Sequence, residues 1–479
     1  MDKKWVFDDY SYLCKGLILA DMSISHSIFK AYDIRGIVAE ELTLDTVKLI
    51  GLAIGSESIA CGERGVVVGR DGRLSGLALM DALKDGLKSS GCHVVDIGMV
   101  PTPLVYYSTY TKAASSGVMI TGSHNPPEYN GFKIMIAGET LSGERIQELY
   151  KRIQAQNFST GHGTSTKVDV EDDYIERITT DVKLDKPLHI VVDAGNGVAG
   201  NIAPKLFERL GVKVNKLFCL IDGNFPNHHP DPSKMANLKD LIQAVKDTGA
   251  DMGFAFDGDG DRLGLIDNKG NVIWADRQMI LYARDVLSRN AGAKIVFDVK
   301  CSSLLPKDII QHGGEAIMSR TGHSFIKAKL KATGAALGGE MSGHIFFKER
   351  WYGFDDALYT GARLLEILSK TNKTCAQVFA DLPDSINTPE INITFDKQGQ
   401  QFEAMDKLYL DVDFKGAEIT TIDGVRVDYP NGWGLVRPSN TTPCLVLRFE
   451  ADDEQTLLKI QTKFKIWLEN NHIPTQALL

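Results

Sequence analysis

The sequence predicts an α/β protein: three related α/β domains with mixed, mostly parallel sheets, followed by a C-terminal α+β domain. Three observations predict it. The chain has 479 residues, well beyond the roughly 250–300 over which a single hydrophobic core keeps growing, so about three or four domains are expected. One local grammar recurs three times at domain-sized spacing: a short apolar run, a loop of Asp, Gly and small polar residues, then an amphipathic stretch. After about residue 384 the texture changes to alternating strands and one long helical pattern.

The three recurrences are Val66-Val-Val-Gly-Arg-Asp-Gly-Arg73, Ile190-Val-Val-Asp-Ala-Gly-Asn-Gly197 and Ile295-Val-Phe-Asp-Val-Lys-Cys-Ser302. β-Branched runs followed by helical periodicity read as βαβ units with buried parallel strands. Ile202, Leu206 and Leu210 recur every fourth residue, which predicts a helix over Asn201–Leu210. The polar stretch 157–166 reads as a linker, and weaker breaks fall near 267–270 and 381–389. In the last segment, 390–395, 425–429 and 444–449 read as strands and 454–470 as a helix, an antiparallel α+β pattern. The expected domains are 23–168, 169–271, 272–383 and 384–479, preceded by a poorly packed extension, 1–22, with Met22 a candidate start.

Composition removes several classes. With 43% hydrophobic and 24% charged residues, collagen-like, disordered and disulfide-scaffold chains are excluded. A net charge of −9 argues against a general nucleic-acid or membrane surface, since phosphate backbones attract basic faces. Seven scattered cysteines (Cys14, Cys61, Cys92, Cys219, Cys301, Cys375 and Cys444) contain no CxxC pair. A zinc site or redox pair therefore has no support, and a reduced, cytoplasmic setting is expected. No apolar run reaches the roughly 20 residues that span a bilayer.

Four motifs could carry chemistry. In Thr121-Gly-Ser-His-Asn-Pro-Pro-Glu-Tyr-Asn-Gly-Phe-Lys133, Ser123 follows an apolar run and so sits at a strand end, with His124 and Lys133 as nearby polar groups. A serine hydroxyl needs such help to act as a nucleophile, although the same residues would also make a simple turn. In Asp257-Gly-Asp-Gly-Asp-Arg262, three alternating carboxylates can converge on one hard cation. An EF-hand fails, because its position 6 would be Arg262 and its position 12 Asn268; a solvated acidic turn is the alternative. Mg²⁺ in phosphoryl chemistry suits this donor set.

Arg437-Pro-Ser-Asn-Thr-Thr-Pro443 sets an Arg fork beside hydroxyl donors, a cradle for a phosphate dianion or else a polar hairpin turn. Gly338-Gly-Glu-Met-Ser-Gly-His344 offers Glu340 and Ser342 to vicinal sugar hydroxyls, or is a glycine-rich turn. Gly195-Asn-Gly-Val-Ala-Gly200 satisfies G-x-G-x-x-G, with Asp222 beyond it. Asp193 would set negative charge beside a pyrophosphate, so this segment reads as a tight turn docking helix to strand. No Walker A sequence is present.

Together and in this order, the four motifs resemble the α-D-phosphohexomutase superfamily, nearest its bacterial phosphomannomutase/phosphoglucomutase branch. Lys30-Ala-Tyr-Asp-Ile-Arg-Gly36, Asp298-Val-Lys-Cys-Ser302, Arg320-Thr-Gly-His-Ser324 and Asp423-Gly-Val-Arg-Val-Asp-Tyr-Pro430 support it, and the likeness runs from about Ile28 to the C-terminus. Met341 fits the mannose/glucose branch better than the glucosamine branch, which typically carries Gln there. The resemblance implies four domains around a central cleft, one motif from each. It implies phosphorylation of Ser123, and Mg²⁺ held by Asp257, Asp259, Asp261 and the Ser123 phosphate. Glu340 and Ser342 would take sugar hydroxyls, and Arg437, Ser439, Asn440 and Thr441 the phosphate not being transferred. Arg35, His124, Lys133, Arg262, Lys300, His323 and His344 would be the cationic and proton-shuttling groups, with Lys133 and His344 candidate general bases.

The expected activity interconverts hexose 1-phosphate and hexose 6-phosphate, of mannose, glucose or both, through a hexose 1,6-bisphosphate that also serves as activator. A grip on O3 and O4 discriminates poorly at C2, so both sugars are expected as substrates. The alternatives are a phosphoglucosamine mutase, a metal-dependent phosphatase and a non-catalytic phosphosugar-binding protein. The expected partner is a small phosphosugar, not nucleic acid or membrane, with the chain a cytoplasmic monomer or weak homo-oligomer.

Overall fold

The computed structural model describes residues 24–112, 114–476 and 478. The expected extension over 1–22, Cys14 included, lies outside the described residues. Each recurrent apolar run is a central strand: Gly65–Arg70, His189–Asp193 and Lys294–Asp298. Each is flanked on both sides by parallel strands. One of those neighbours then turns back as an antiparallel hairpin: Ser116–Ile120 with Tyr129–Ile136, Met252–Phe256 with Leu263–Asp267, and Leu337–Gly339 with Ile345–Phe347.

This threefold topology positions the site. The loop closing each hairpin is one of the motifs: the Ser123 loop, the acidic loop after Phe256, and the Glu340 loop after Gly339. Crossover helices cover the sheets, among them Ala199–Arg209, which matches the helix expected from the fourfold apolar spacing. The glycine-rich segment before it turns tightly, with Gly195 at φ 50° and Asn196 at φ 61°.

The C-terminal unit is antiparallel throughout. Its strands run in the order Ile386–Asn387, Cys444–Ala451, Gly432–Pro438, Val425–Tyr429, Glu418–Thr420, with Ile391–Thr394 also paired to Cys444–Ala451. Helix Glu454–Asn470 spans the residues expected and buries Ile460, Phe464, Trp467 and Leu468, an i, i+4, i+7, i+8 stripe.

The stretch 157–166 is packed rather than free. The amides of Gly161 and Gly163 donate to the carbonyls of Ser89 (2.9 Å) and Lys88 (2.8 Å), and Ser165–Lys167 adds a parallel strand beside His93–Met99. Gly and Thr were a poor linker signal here because their small side chains let the backbone itself dock.

The apolar cores explain how the parts are joined. One cluster runs continuously from Val67 and Tyr106 through Phe207 and Phe254 to Phe297 and Leu365, welding the three α/β units together. The C-terminal unit has a separate core around Val425, Leu447, Phe449 and Phe464. It meets the third unit through a small patch of Val299, Trp433 and Leu435. Buried polar groups complete that joint. Arg426 lies 3.9 Å from the Trp433 ring centroid and donates to the carbonyls of Val299 (2.6 Å) and Cys301 (2.8 Å). A desolvated cation–π contact of this kind contributes roughly 2 kcal/mol. Arg448 pairs with Asp276 at 2.9 Å.

Cys61, Cys92, Cys219, Cys301, Cys375 and Cys444 are free thiols. Among the described residues no helix is long and apolar enough to cross a membrane.

Candidate active site

The hairpin loops of the three α/β units meet, and the nucleophile candidate lies where the first two touch. Ser123 Oγ donates to Asp257 Oδ2 at 3.1 Å and lies 3.1 Å from His124 Nδ1. Gly258 makes this approach possible, since a Cβ there would lie 2.3 Å from the Ser123 carbonyl oxygen. Ser123 is buried and held at φ 48°, a left-handed conformation costing a non-glycine residue about 1–2 kcal/mol. The strain aims the hydroxyl at the acidic loop. Burial, together with Arg262 and Arg35, holds His124 well below the ordinary histidine range, so its ring is neutral.

Asp257, Asp259 and Asp261 are fully buried and offer carboxylate oxygens within 4.8 Å of one another. Burial and its two neighbours drive Asp257 well above the usual carboxylate range. Asp261 goes the other way: against burial, Lys133 and His344 hold it well below. Asp259 Oδ2 accepts from Thr102 Oγ1 at 2.5 Å and Lys133 Nζ at 2.7 Å, while its Oδ1 is buried without a hydrogen-bond partner. Three buried carboxylates, two oxygens without a hydrogen-bond partner (Asp259 Oδ1 and Asp261 Oδ1) and glycines between them fit a hard divalent cation.

Lys133 also pairs with Asp261. Burial opposes its charge, yet Asp259 and Asp261 raise its pKa above the usual lysine value. Lys133 is therefore an ammonium, not a free base. His344 behaves alike: burial lowers it, but Asp261 at 3.2 Å and Glu340 at 2.9 Å raise it to about 9. Arg262 Nε lies 3.2 Å from His344 Nε2, the ring nitrogen that faces Asp261, and its opposing charge is outweighed by the two carboxylates. In this arrangement the neighbouring carboxylates favour the charged form of both candidate bases.

His323 differs from both. Lys327 Nζ, which only donates, faces its Nδ1 at 3.1 Å, so the proton of the neutral ring sits on Nε2, a buried atom without a partner. Burial and Lys327 hold this histidine well below its ordinary range. Asp355 stands behind the pair, 2.8 Å from Lys327 Nζ and 3.5 Å from His323 Nδ1.

The second, third and fourth units are linked in turn. Arg262 forms an isolated antiparallel bridge with His344. Glu340 accepts from His344 Nδ1 and, on its other oxygen, from the Gly322 amide; Ser342 Oγ is 3.1 Å from His344 Nδ1. The Thr321 amide donates to Asp423 at 2.9 Å, and Asp423 accepts from Arg437 Nε at 3.0 Å. Ser439 Oγ is bonded by the Thr441 and Thr442 amides, leaving Asn440 half-buried and Thr441 exposed at the tip of the turn. Lys300 pairs with Glu390 at 2.7 Å, and Arg35 reaches both Asp33 and Asn125.

The site residues expected from the four motifs are thus part of this region or on the turn beside it. Sequence reasoning missed Thr102, Lys327, Asp355 and Glu390, which lie in no motif. It also missed Asp71 and Arg73, whose signal was present in the first recurrence of the strand-loop grammar.

Residues 26–160, 172–270 and 274–386 match the families described as phosphoglucomutase/phosphomannomutase alpha/beta/alpha domains I, II and III, and 390–465 match the phosphoglucomutase/phosphomannomutase C-terminal domain. The chain belongs to the phosphoglucomutase/phosphomannomutase family. A phosphomannomutase/phosphoglucomutase of Pseudomonas putida is 57% identical over 450 residues, covering 94% of this chain and 97% of that protein. A phosphoglucomutase of Neisseria gonorrhoeae is 53% identical, covering 94% and 98%. A crystal structure of a phosphoglucomutase/phosphomannomutase family protein from Burkholderia thailandensis superposes with a TM-score of 0.91 at 52% identity, over 95% of this chain and 100% of that one. The threefold hairpin topology described above is thus an architecture of the phosphoglucomutase/phosphomannomutase family.

Proposed function

We propose that this chain is a phosphohexomutase, interconverting hexose 1-phosphates and hexose 6-phosphates through phosphoserine 123 and a hexose 1,6-bisphosphate that remains the exchangeable activator. The observation that carries the reading is the 3.1 Å contact of Ser123 Oγ with the acidic loop, within a network that reaches the sugar and phosphate loops.

Moving one phosphate between two distant hydroxyls is simplest if the protein holds a phosphoryl group of its own. Phosphoserine 123 transfers it to the free hydroxyl of the bound sugar phosphate: the Ser–O–P bond breaks, a sugar–O–P bond forms, and the hydroxyl proton is released. The bisphosphate then turns over, and Ser123 Oγ attacks the other phosphorus: a Ser–O–P bond forms, that sugar–O–P bond breaks, and the freed sugar oxygen takes up a proton to become the product hydroxyl. The neutral His124 ring, with Nδ1 3.1 Å from Ser123 Oγ, is placed to take the proton Ser123 gives up. Asp257, Asp259 and Asp261, with an oxygen of the Ser123 phosphate, would hold Mg²⁺, which neutralises charge on the transferring phosphoryl group.

Lys133 keeps the carboxylates compensated between turnovers, and His344 and His323 present N–H donors. Arg437, Ser439, Asn440 and Thr441 would grip the phosphate that stays, with Lys300 and Arg35 adding positive charge. Glu340 and Ser342 would take O3 and O4, which exchange places approximately when the sugar turns. The same reading makes the protein a cytoplasmic monomer or weak homo-oligomer acting on a small phosphosugar.

Two outcomes test this reading. A grip on O3 and O4 makes both mannose 1-phosphate and glucose 1-phosphate substrates, measured side by side by kcat/KM; efficiencies more than about a thousandfold apart would contradict it, since that gap exceeds 4 kcal/mol. Arg437→Gln removes a charge-assisted bond of roughly 1.5–3 kcal/mol, so KM for either sugar rises by about 10–100-fold. An unchanged KM would remove the C-terminal loop from the binding site.

A further inference from the structure

Arg73 lies next to the nucleophile loop yet has no role in the scheme above. Its side chain is 0% exposed. A guanidinium has five N–H donors in a planar fork, and all five are engaged here. Nε donates to Asp71 Oδ2 at 3.2 Å; Nη1 donates to the carbonyls of Pro126 (2.6 Å) and Tyr129 (3.0 Å); Nη2 donates to those of Ser123 (2.9 Å) and Asn125 (2.6 Å). With none left over, Arg73 is not a phosphate ligand. The loop from Ser123 to Tyr129 is wrapped around a single cation.

Asp71 anchors that cation and the entry to the loop together. Its Oδ1 accepts from the Arg73 amide at 2.9 Å, and its Oδ2 from Thr121 Oγ1 at 2.7 Å and the Gly122 amide at 3.3 Å. Thr121 Oγ1 in turn accepts from the Ser123 amide at 2.7 Å. Ser123 is therefore held at its N–H through Thr121 and at its C=O by Arg73, on both sides of its positive φ. Glycine at 122 is required, because a Cβ would lie 2.5 Å from the Arg73 guanidinium carbon. The second unit closes the clamp: Phe225 covers Arg73, with the guanidinium 5.3 Å from its ring centroid.

The equivalent strand end in the third unit repeats the device. Asp298 accepts from Thr321 Oγ1 at 3.0 Å and from the Met341 amide at 3.3 Å, tying the sugar loop as Asp71 ties the serine loop. In the second unit Asp193 instead holds the Gly195 amide and the His228 ring.

We propose that Arg73, anchored by Asp71, is the positioning residue that fixes Ser123 in its strained conformation and in line for phosphoryl transfer. This rests on Ser123 being the phosphorylated residue. Misplacement by about 1 Å costs on the order of 10²-fold in rate, whereas on the proposed mechanism sugar phosphate is held chiefly by the third and fourth units, with Arg35 the one first-unit contributor, so binding changes little. Arg73→Gln therefore lowers kcat by about 10²-fold while KM stays within about threefold. Arg73→Lys, with three donors, recovers part of the loss.

The experiment loads wild type, Arg73→Gln and Arg73→Lys with glucose 1,6-bisphosphate, quantifies phosphate on Ser123 by mass spectrometry, and reports kcat per phosphorylated site together with KM. A selective fall in kcat, partly restored by lysine, supports the clamp. Wild-type kcat per phosphorylated site in Arg73→Gln, or losses that track only the folded fraction, would overturn it. If Arg73→Gln does not fold, Thr121→Val breaks the same clamp isosterically. A roughly tenfold lower kcat at unchanged KM is then expected, and an unaltered kcat refutes the proposal. Wild type that carries its phosphate elsewhere would instead refute the reading of the serine loop, and the clamp with it.

Discussion

Ser123→Ala abolishes turnover, by about 10³-fold or more, while hexose phosphate still binds. The methyl group offers no oxygen to carry the phosphoryl group, and among the described residues Ser123 carries the only hydroxyl hydrogen-bonded to Asp257. The fold tolerates the change. The lost hydroxyl made one hydrogen bond to Asp257 and one contact with His124, and Asp257 keeps the Asp261 amide at 3.1 Å and the Arg262 amide at 3.2 Å on its other oxygen. Binding persists because Glu340, Ser342 and the Arg437 loop belong to other units of the chain. Mutase assay and calorimetric titration with glucose 1-phosphate check the two halves separately. Preserved turnover would require another nucleophile, and lost binding would mean that the serine loop also builds the sugar site.

Asp259→Asn lowers turnover by about 10²–10³-fold, the few kcal/mol that charge neutralisation by a bound cation supplies to phosphoryl transfer. The substitution replaces one of three buried carboxylates and sets an amide against Lys133 and Thr102. Its effect on stability separates a metal site from a structural ion pair. In wild type, saturating Mg²⁺ raises unfolding free energy by mass action, about 2.7 kcal/mol at a hundredfold excess over Kd. In Asp259→Asn that Mg²⁺-dependent rise is lost, whereas the metal-free protein changes little, because relief of like-charge crowding offsets the weaker Lys133 pair. Thermal midpoints with and without Mg²⁺ measure this. An equal Mg²⁺ response in both proteins would remove Asp259 from the metal site.

Much of this architecture was legible in the sequence because buried central strands leave continuous β-branched runs, and Val66, Ile190 and Ile295 each begin one within a strand. The acidic loop was equally legible, since three carboxylates separated by single glycines have few other uses. What the sequence hid is side-chain pairing across units. Lys133 and His344 look like proton acceptors when read singly, and only the fold sets them against Asp259, Asp261 and Glu340 and so keeps them charged. Arg73 was hidden for a related reason. Its value lies in four carbonyl oxygens of another loop, and backbone acceptors carry no residue-type signal. The docked stretch 157–166 escaped likewise, because glycine marks both a free linker and a backbone pressed close to its neighbours.

The separate core of the C-terminal unit and the small size of its apolar joint with the third unit also bear on function. On the proposed mechanism a sugar that turns over between two transfers needs room, and the unit proposed to hold the remaining phosphate is the one with a core of its own. Interfaces of this kind permit domain movement.

The measurement that bears hardest on the whole scheme is the location of the phosphate. Protein stripped of phosphate is incubated with Mg²⁺ and glucose 1,6-bisphosphate, digested, and mapped by mass spectrometry, with mutase activity followed in parallel. One phosphate on Ser123, appearing as activity returns, is the expected result. Modification at a different residue, or full activity without any phosphoserine, would contradict the mechanism.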